Sequence, residues 1–520
     1  MLPGLRAWLV AIAMLSGSGK VLADSAPSVN DAGAARCTGF VAENFATLPD
    51  APTQITSAEV VAASGRIPAH CRLQGYVSPQ VGFEMALPLS QWNGKFLEAG
   101  CGSFCGIIIR QACNDPLRRG YACITSDQGH KSSVSDATWA YDNPQAEVDF
   151  AYRAAHVTAL AGKAIVDRYY GRQPAYSYFM GCSGGGRQGL VQAQKFPEDF
   201  HGIVAGAPAI RFSNVFLNMA WNVRALMDER GAPMLRPSQF QRLHSAALAK
   251  CDMDDGIKDG VIGNPQACHV DVDALSCAAA AGPDCLNESQ VAAVKRLYGG
   301  ISGAPGGEHF MPGSELNWGS YQRTAAGASY REQQATNFFR YLAFVPDAGP
   351  QWRIEQLDFS KDPARMQSMQ ALLSDSDPDL RKFQALGGKL LMYQGWNDEA
   401  KMPGSAVDYY ESVQKLLGGR ERVEDFYRLF VIPGMQHCSG GDGAFGIDYL
   451  SYLESWVERG DAPRQMIGAH GDFPGIPFYE FPLDERLIEF TRPVYPYPVR
   501  AIYSGRGDPK RAESFRPSGK

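Results

Sequence analysis

No CxxC pair, no Cys–His cluster at zinc spacing and no internal repeat occurs in this sequence of 520 residues. The first two absences argue against the common zinc modules and dithiol redox motifs. The third argues against solenoids and propellers. A basic stripe is missing as well: 49 Lys and Arg against 55 Asp and Glu leave a net charge of -6. Nucleic acid is therefore not an expected partner. Membrane-length apolar runs are also lacking. The run Ala7–Leu15 is about half of what a spanning helix requires. Arg6 stands before it, and Leu22-Ala23 precedes Asp24 as a small-residue cleavage site. Residues 1–23 thus read as a secretory signal. A secreted or periplasmic protein with no membrane span in its mature form is expected.

What is present fits that compartment. Twelve cysteines, an even number, suit an exported chain whose thiols are oxidised in pairs. Hydrophobic residues make up 45% and charged residues 20%, ordinary values for a globular protein. The length exceeds what one compact core usually serves, so a second domain or a large insertion is expected.

From Phe96 to about Ala209, short apolar strands alternate with amphipathic helices, the pattern of a mostly parallel sheet covered on both faces. "YACITSD", "AYSYFMGC" and "GIVAGAPA" read as strands, and "DFAYRAAHVTALAGKAIVDRYYG" as a helix. Between Ile210 and Pro378 the texture turns rich in Gly, Ser and Ala and loses its strands. "KLLMYQGWND" then resumes a buried strand, followed by a helical stretch and the strand "FYRLFVIPG". The expected organisation is a catalytic α/β domain over 24–209 and 379–520, interrupted by a lid domain over 210–378.

"GCSGG", Gly181–Gly185, satisfies G-x-S-x-G between an expected strand and an expected helix. That context makes Ser183 a candidate nucleophile on a sharp turn, with a helix N-terminus favouring developing negative charge. In α/β-hydrolases the acid and then the histidine follow the serine along the chain. Asp398 ends the resumed strand, and His437 lies in the glycine-flanked loop "VIPGMQHCSGGDG". Asp408, Asp425 and Asp442 are rivals that read as helical or exposed, while His130 and His156 precede the serine. Cys182 adjoins Ser183, and Cys438 adjoins His437. If the hydroxyl and imidazole meet, the two thiols are close enough to bridge. A Cys182–Cys438 disulfide would hold the triad in register. Cys182 as the nucleophile would instead need a free thiolate in an oxidising compartment. The backbone N–H groups of Gly184 and of Gly102, in "GCGS", are the expected oxyanion donors.

The paired Cys-Ser and His-Cys dipeptides, with "GCSGGGRQGLVQAQKFPEDFHGIVAGAPA" and "WNGKFLEAGCGSFCG", resemble the tannase and feruloyl esterase family of α/β-hydrolases. That family includes the bacterial mono(2-hydroxyethyl) terephthalate hydrolases. The resemblance reaches "RPVYPYPVRAIYSGRGDP" near the C-terminus. It implies an α/β-hydrolase fold with a large inserted lid, and a serine esterase acting on small-molecule esters of aromatic, phenolic acids. Terephthalate half-esters are the alternative substrate. A non-catalytic, calcium-stabilised binding protein on a hydrolase scaffold is the reading from another class, and the complete Ser, Asp and His set counts against it. "WNVRALM", "NWGSYQR" and "FFRYLAF" could wall a substrate ring or simply form the lid's core.

"CDMDDGIKDGVIGNPQAC" holds four aspartates between Asp252 and Asp259, a run that suits either a hard cation or a solvated turn. It fails the EF-hand spacing. The resemblance implies a structural Ca²⁺ here, with Asp252, Asp255 and Asp259 giving carboxylates and Ile257 and Val261 giving carbonyls. Cys251 and Cys268 bracket the loop and are expected to pair. Cys277–Cys285 and Cys37–Cys71 match bridges of the family. Tyr495 stands where the family often has a cysteine. Cys101, Cys105, Cys113 and Cys123 should form two further bridges, whose pairing the sequence leaves open.

Overall fold

The structure is a computed structural model, and it describes residues 31–280, 282–301, 308–475 and 477–519. The expected signal segment, 1–23, lies outside these residues. Nine strands form one sheet: β1 (Thr53–Val61), β2 (His70–Val77), β3 (Val81–Pro88), β4 (Lys95–Ala99), β5 (Ala122–Ser126), β6 (Tyr176–Cys182), β7 (Gly202–Gly206), β8 (Lys389–Gly395) and β9 (Tyr427–Ile432). Their spatial order is β1-β2-β3-β5-β4-β6-β7-β8-β9. Pairing is antiparallel from β1 through β3 to β5 and parallel from β5 to β9. A parallel sheet fed by crossover helices must be covered on both faces. All residues of β5 and β7 are accordingly buried. This is an α/β-hydrolase fold.

Successive side chains of a strand point to opposite faces, and the two cores divide accordingly. Phe96, Ile203, Leu390 and Leu429 join one cluster, with Val157 and Ile165 of the helix Ala154–Tyr170 and Tyr410 of the helix Gly404–Leu417. Their neighbours Leu97, Val204, Leu391 and Phe430 join the other, with Leu450 and Leu453 of the helix Tyr449–Arg459. Between β7 and β8 the chain leaves the sheet, and no strand occurs among the described residues of 207–388. This inserted segment is built on the helices Phe212–Ala225, Pro237–Cys251, Glu288–Gly299 and Tyr330–Tyr341. A third apolar cluster joins it to the loop after β4. Its centre is a stack in which Phe216 lies 5.1 Å from Phe104 and 4.4 Å from Phe338.

Two parts of the architecture go beyond the sequence reading. The antiparallel strands β1–β3 widen the sheet before Phe96, and two hairpins close the C-terminal region. The first pairs β10 (Met466–His470) with β11 (Phe490–Val494), and the second pairs β12 (Ala501–Tyr503) with β13 (Phe515–Pro517).

The helix after β6 begins at Gly184, directly after the serine. Three consecutive glycines disfavour helix by propensity, but close packing of this helix on β7 requires small residues. A methyl at Gly186 would lie 2.2 Å from the Gly206 carbonyl oxygen. Gly186→Ala should therefore lower stability by about 1–3 kcal/mol. Gly189→Ala, whose methyl would meet the Ile203 side chain at 3.0 Å, should cost less. Denaturant unfolding of the two variants checks this order.

Candidate active site

Ser183, Asp398 and His437 follow the C-terminal ends of β6, β8 and β9, and the loop 100–106 follows β4. Open α/β sheets keep ligands at this edge. Ser183 sits between strand and helix with φ 64° and ψ -118°, a backbone state that costs a non-glycine residue about 1–3 kcal/mol. It is held there by its own hydrogen bonds. Its N–H donates to the Gly206 carbonyl at 2.9 Å, and its carbonyl accepts from Arg187 N at 3.0 Å and Ala209 N at 3.2 Å.

Asp398 is 1% exposed. Its Oδ2 accepts from His437 Nδ1 at 2.8 Å and from Gln394 Nε2 at 2.8 Å. Its Oδ1 accepts from Ala400 N at 2.8 Å and Lys401 N at 2.9 Å. Burial pushes this carboxyl up, but His437, Gln394 and the Lys401 charge outweigh it and hold the group below its ordinary value. An ionised Asp398 fixes the shared proton on His437 Nδ1, which leaves Nε2 free to accept one. Cys182 and Cys438 are joined, with Cα atoms 5.9 Å apart, so the elbow and the histidine loop are covalently adjacent.

The rivals are elsewhere engaged. Asp408 pairs with Arg211, and Asp425 and Asp442 are exposed. His130 stacks on Trp139. His156 pairs at 2.6 Å with Asp199, which lies before β7, at the other edge of the sheet.

Gly184 is pressed against the loop after β4: a methyl there would lie 2.9 Å from Ser103 O and 3.1 Å from Ser103 N. That loop is closed by a Cys101–Cys105 disulfide, and Cys101 N donates to Gln188 Oε1 at 3.2 Å. Gly102 lies in the loop, and its carbonyl accepts from Cys105 N at 2.9 Å. The Cys101 carbonyl also lies against the elbow, 3.2 Å from the same methyl position, and Ser103 Oγ accepts from Gln334 Nε2 of the inserted segment at 2.6 Å. The second bridge left open by the sequence is Cys113–Cys123. Cys37–Cys71, Cys251–Cys268 and Cys277–Cys285 are paired as well.

Gln188, Gln394, Ser103 and Lys401 were not singled out by sequence. A glutamine inside the apolar run "LLMYQG" was the available signal for Gln394. Lys401 is 6% exposed, and burial with the Arg331 charge pushes its ammonium down to about 8. Trp318, Tyr321, Phe338 and Phe339 are fully buried. These aromatic side chains are part of the core of the inserted segment.

In the acidic loop, Asp252 Oδ1 accepts from the N–H groups of Asp259 and Gly260, both at 3.1 Å. Asp255 Oδ1 accepts from Ile257 N, and Asp259 Oδ1 from Val261 N, each at 3.2 Å. Asp259 Oδ2 also pairs with Arg492 at 2.7 Å. Burial and then the Asp259 charge push Asp255 up to about 7. Among the described residues no three acidic, His or Cys groups converge as a metal-holding cluster. The side-chain donors are all oxygens, as a hard cation requires, and a cation would relieve the repulsion on Asp255. Arg492 instead neutralises Asp259.

The profile of the family described as "Tannase and feruloyl esterase" matches residues 65–517. The chain belongs to this family. It is 32% identical, over 91% of its length and 88% of the relative's, to the mono(2-hydroxyethyl) terephthalate hydrolase of Piscinibacter sakaiensis. A probable feruloyl esterase B-2 of Neosartorya fischeri is 31% identical over 89% of this chain and 88% of its own. The crystal structure of feruloyl esterase B from Aspergillus oryzae superposes with a TM-score of 0.82 at 28% identity, covering 94% of this chain and all of that one. As a member of the tannase and feruloyl esterase family, the protein is an ester hydrolase. Among its described residues no helix is long and apolar enough to cross a membrane.

Cys182–Cys438 closes a loop of 256 residues, for which chain entropy alone allows about 5 kcal/mol. Replacing both cysteines by alanine should lower the melting temperature and slow ester hydrolysis, because His437 loses one of its loop's anchors. Thermal unfolding and kcat of the double variant check both effects.

Proposed function

We propose that this protein is an exported serine esterase that cleaves esters of aromatic, phenolic carboxylic acids through an acyl-enzyme on Ser183. The observation that carries the reading is the strained serine turn whose neighbour, Cys182, is bonded to the neighbour of His437, itself hydrogen-bonded to Asp398. Six disulfides support an oxidising compartment.

In this mechanism His437 Nε2 takes the Ser183 proton as Oγ attacks the ester carbonyl carbon. Asp398 orients the imidazole and stabilises its charged form. The oxyanion is held by the N–H of Gly184 and by one from the loop 101–103, with Gly102 the expected donor. His437 then protonates the departing alcohol. Water, deprotonated by the same nitrogen, attacks the acyl-enzyme and releases the acid. Terephthalate half-esters are a second substrate reading, favoured by the similarity to the Piscinibacter enzyme. Ser183→Ala should cut kcat/KM by about 10³-fold or more at unchanged melting temperature. Rates on methyl ferulate, a gallate ester and a terephthalate half-ester rank the substrates. Residual activity above a few per cent in Ser183→Ala would rule out the serine mechanism.

The acidic loop is proposed to hold a structural Ca²⁺ through Asp252, Asp255 and Asp259 and the carbonyls of Ile257 and Val261. The ion supplies no catalytic chemistry there; it neutralises a buried carboxylate group. Added Ca²⁺ should raise the melting temperature of chelated protein by binding the native state. Asp255→Asn should abolish that response. If the loop takes no ion, added Ca²⁺ should leave the melting temperature of the chelated wild-type protein unchanged. Calorimetry with and without Ca²⁺ separates the two outcomes.

A further inference from the structure

The inserted segment reaches the loops that carry Asp398 and His437, and its contacts fall on the residues that flank them. Asn397, before Asp398, donates from Nδ2 to the Gly313 carbonyl at 2.8 Å. Glu399, after Asp398, accepts at its carbonyl from Tyr321 OH at 2.6 Å. Gln436, before His437, donates from Nε2 to Asn317 Oδ1 at 3.1 Å. All three partners lie within residues 313–321. Cys438, after His437, is fixed by its disulfide. Asp398 and His437 are thus each held by both neighbours in the chain.

The stretch that makes these bonds is itself rigidly anchored. Glu315 is fully buried, and both its oxygens are used. Oε1 accepts from Tyr298 OH at 2.7 Å and Gly313 N at 2.9 Å, and Oε2 accepts from His244 Nδ1 at 3.0 Å and Gly313 N at 3.0 Å. Trp318, also fully buried, stacks on Phe310 at 4.9 Å and donates to Ser314 Oγ at 3.0 Å. A buried, fully hydrogen-bonded network of this kind specifies one geometry, and Glu315 bonds the peptide unit next to the carbonyl that Asn397 reads.

We propose that residues 313–321 are a positioning clamp for the triad, anchored by Glu315 and acting on Asp398 through Asn397 and Glu399 and on His437 through Gln436. The proposal rests on the triad reading given above. The clamp touches no reacting atom. It fixes the loops that carry the acid and the base, so that the imidazole meets the serine hydroxyl in line. Misplacement of about 1 Å at such a group can cost about 10²-fold in rate. The inserted segment is then part of the catalytic machinery's frame, besides any contact it makes with substrate.

Asn317 is half-buried, so its substitution spares the anchor. Asn317→Ala and Gln436→Ala should each lower kcat by about 10-fold, at the lower end of that range, with KM within about two-fold. The double variant should be no slower than the slower single one, because both remove the same bond. Asn317→Asp, which keeps an acceptor for Gln436, should recover most of the rate. The rate of Ser183 labelling by a fluorophosphonate should fall in parallel, since it reads triad alignment without ester binding. Glu315→Gln should lower both kcat and melting temperature. An unchanged kcat in Asn317→Ala, an effect confined to KM, or single-variant effects that multiply in the double variant would each overturn the clamp. Ser183→Ala run alongside tells the failures apart: if it is inactive while Asn317→Ala is normal, only the clamp falls, whereas an active Ser183→Ala removes the triad reading and the clamp with it.

Discussion

A serine at positive φ between a strand and a helix is stable only if its surroundings over-determine it, and much of the molecule meets that requirement. The turn at Ser183 is bonded on one side to β7 through Gly206 and on the other to its own helix through Arg187. The helix can sit this close because the residues facing β7 and the loop after β4 are glycines. Arg187, 1% exposed, lies between the rings of Phe150 and Phe212 and donates to Ala151 O at 2.8 Å. The elbow is therefore locked from below by the sheet and from behind by a buried cation among aromatic rings.

The acid and base loops also hold non-glycine residues at positive φ, Met402 at 41° and Cys438 at 67°, and they are fixed by a different means. Each leaves the end of a parallel strand as irregular chain, which ordinarily is more mobile than the element it follows. Here the flanking residues carry the constraint: a disulfide beside His437 and hydrogen bonds from the inserted segment beside Asp398. One feature, a large excursion between β7 and β8, thus covers the sheet edge and stiffens it. The stack Phe104–Phe216–Phe338 extends the same coupling to the loop that meets Gly184.

The sequence made legible whatever is local in the chain. Short apolar runs marked β5 to β9, and the dipeptides Cys182-Ser183 and His437-Cys438 marked where two distant loops must meet. Long-range pairs left no such trace. Asp259–Arg492 spans 233 residues and is invisible in the acidic loop's own spacing. Asn397 and Gln436 read as ordinary loop polars until Gly313 and Asn317 lie opposite them. Which backbone N–H of "GCGS" faces the elbow depends on how the Cys101–Cys105 bridge folds the loop. Strands β1–β3 precede the part of the chain whose alternation was read, and their half-exposed faces give a weaker pattern than the buried parallel strands.

The pattern of disulfides has a consequence for biogenesis. Five of the six bridges join cysteines that are consecutive along the sequence, from Cys37–Cys71 to Cys277–Cys285. The exception is Cys182, which passes over four cysteines to reach Cys438. During synthesis from the N-terminus, Cys182 is left without its partner while Cys251 and the other lid cysteines emerge beside it. Oxidation by nearest neighbour would close Cys182 onto Cys251 and shift every later pair. The one bridge that joins the proposed nucleophile turn to the proposed base loop is thus the one that ordered emergence cannot specify: Cys182 must stay reduced, or be freed by thiol exchange, until Cys438 is in place.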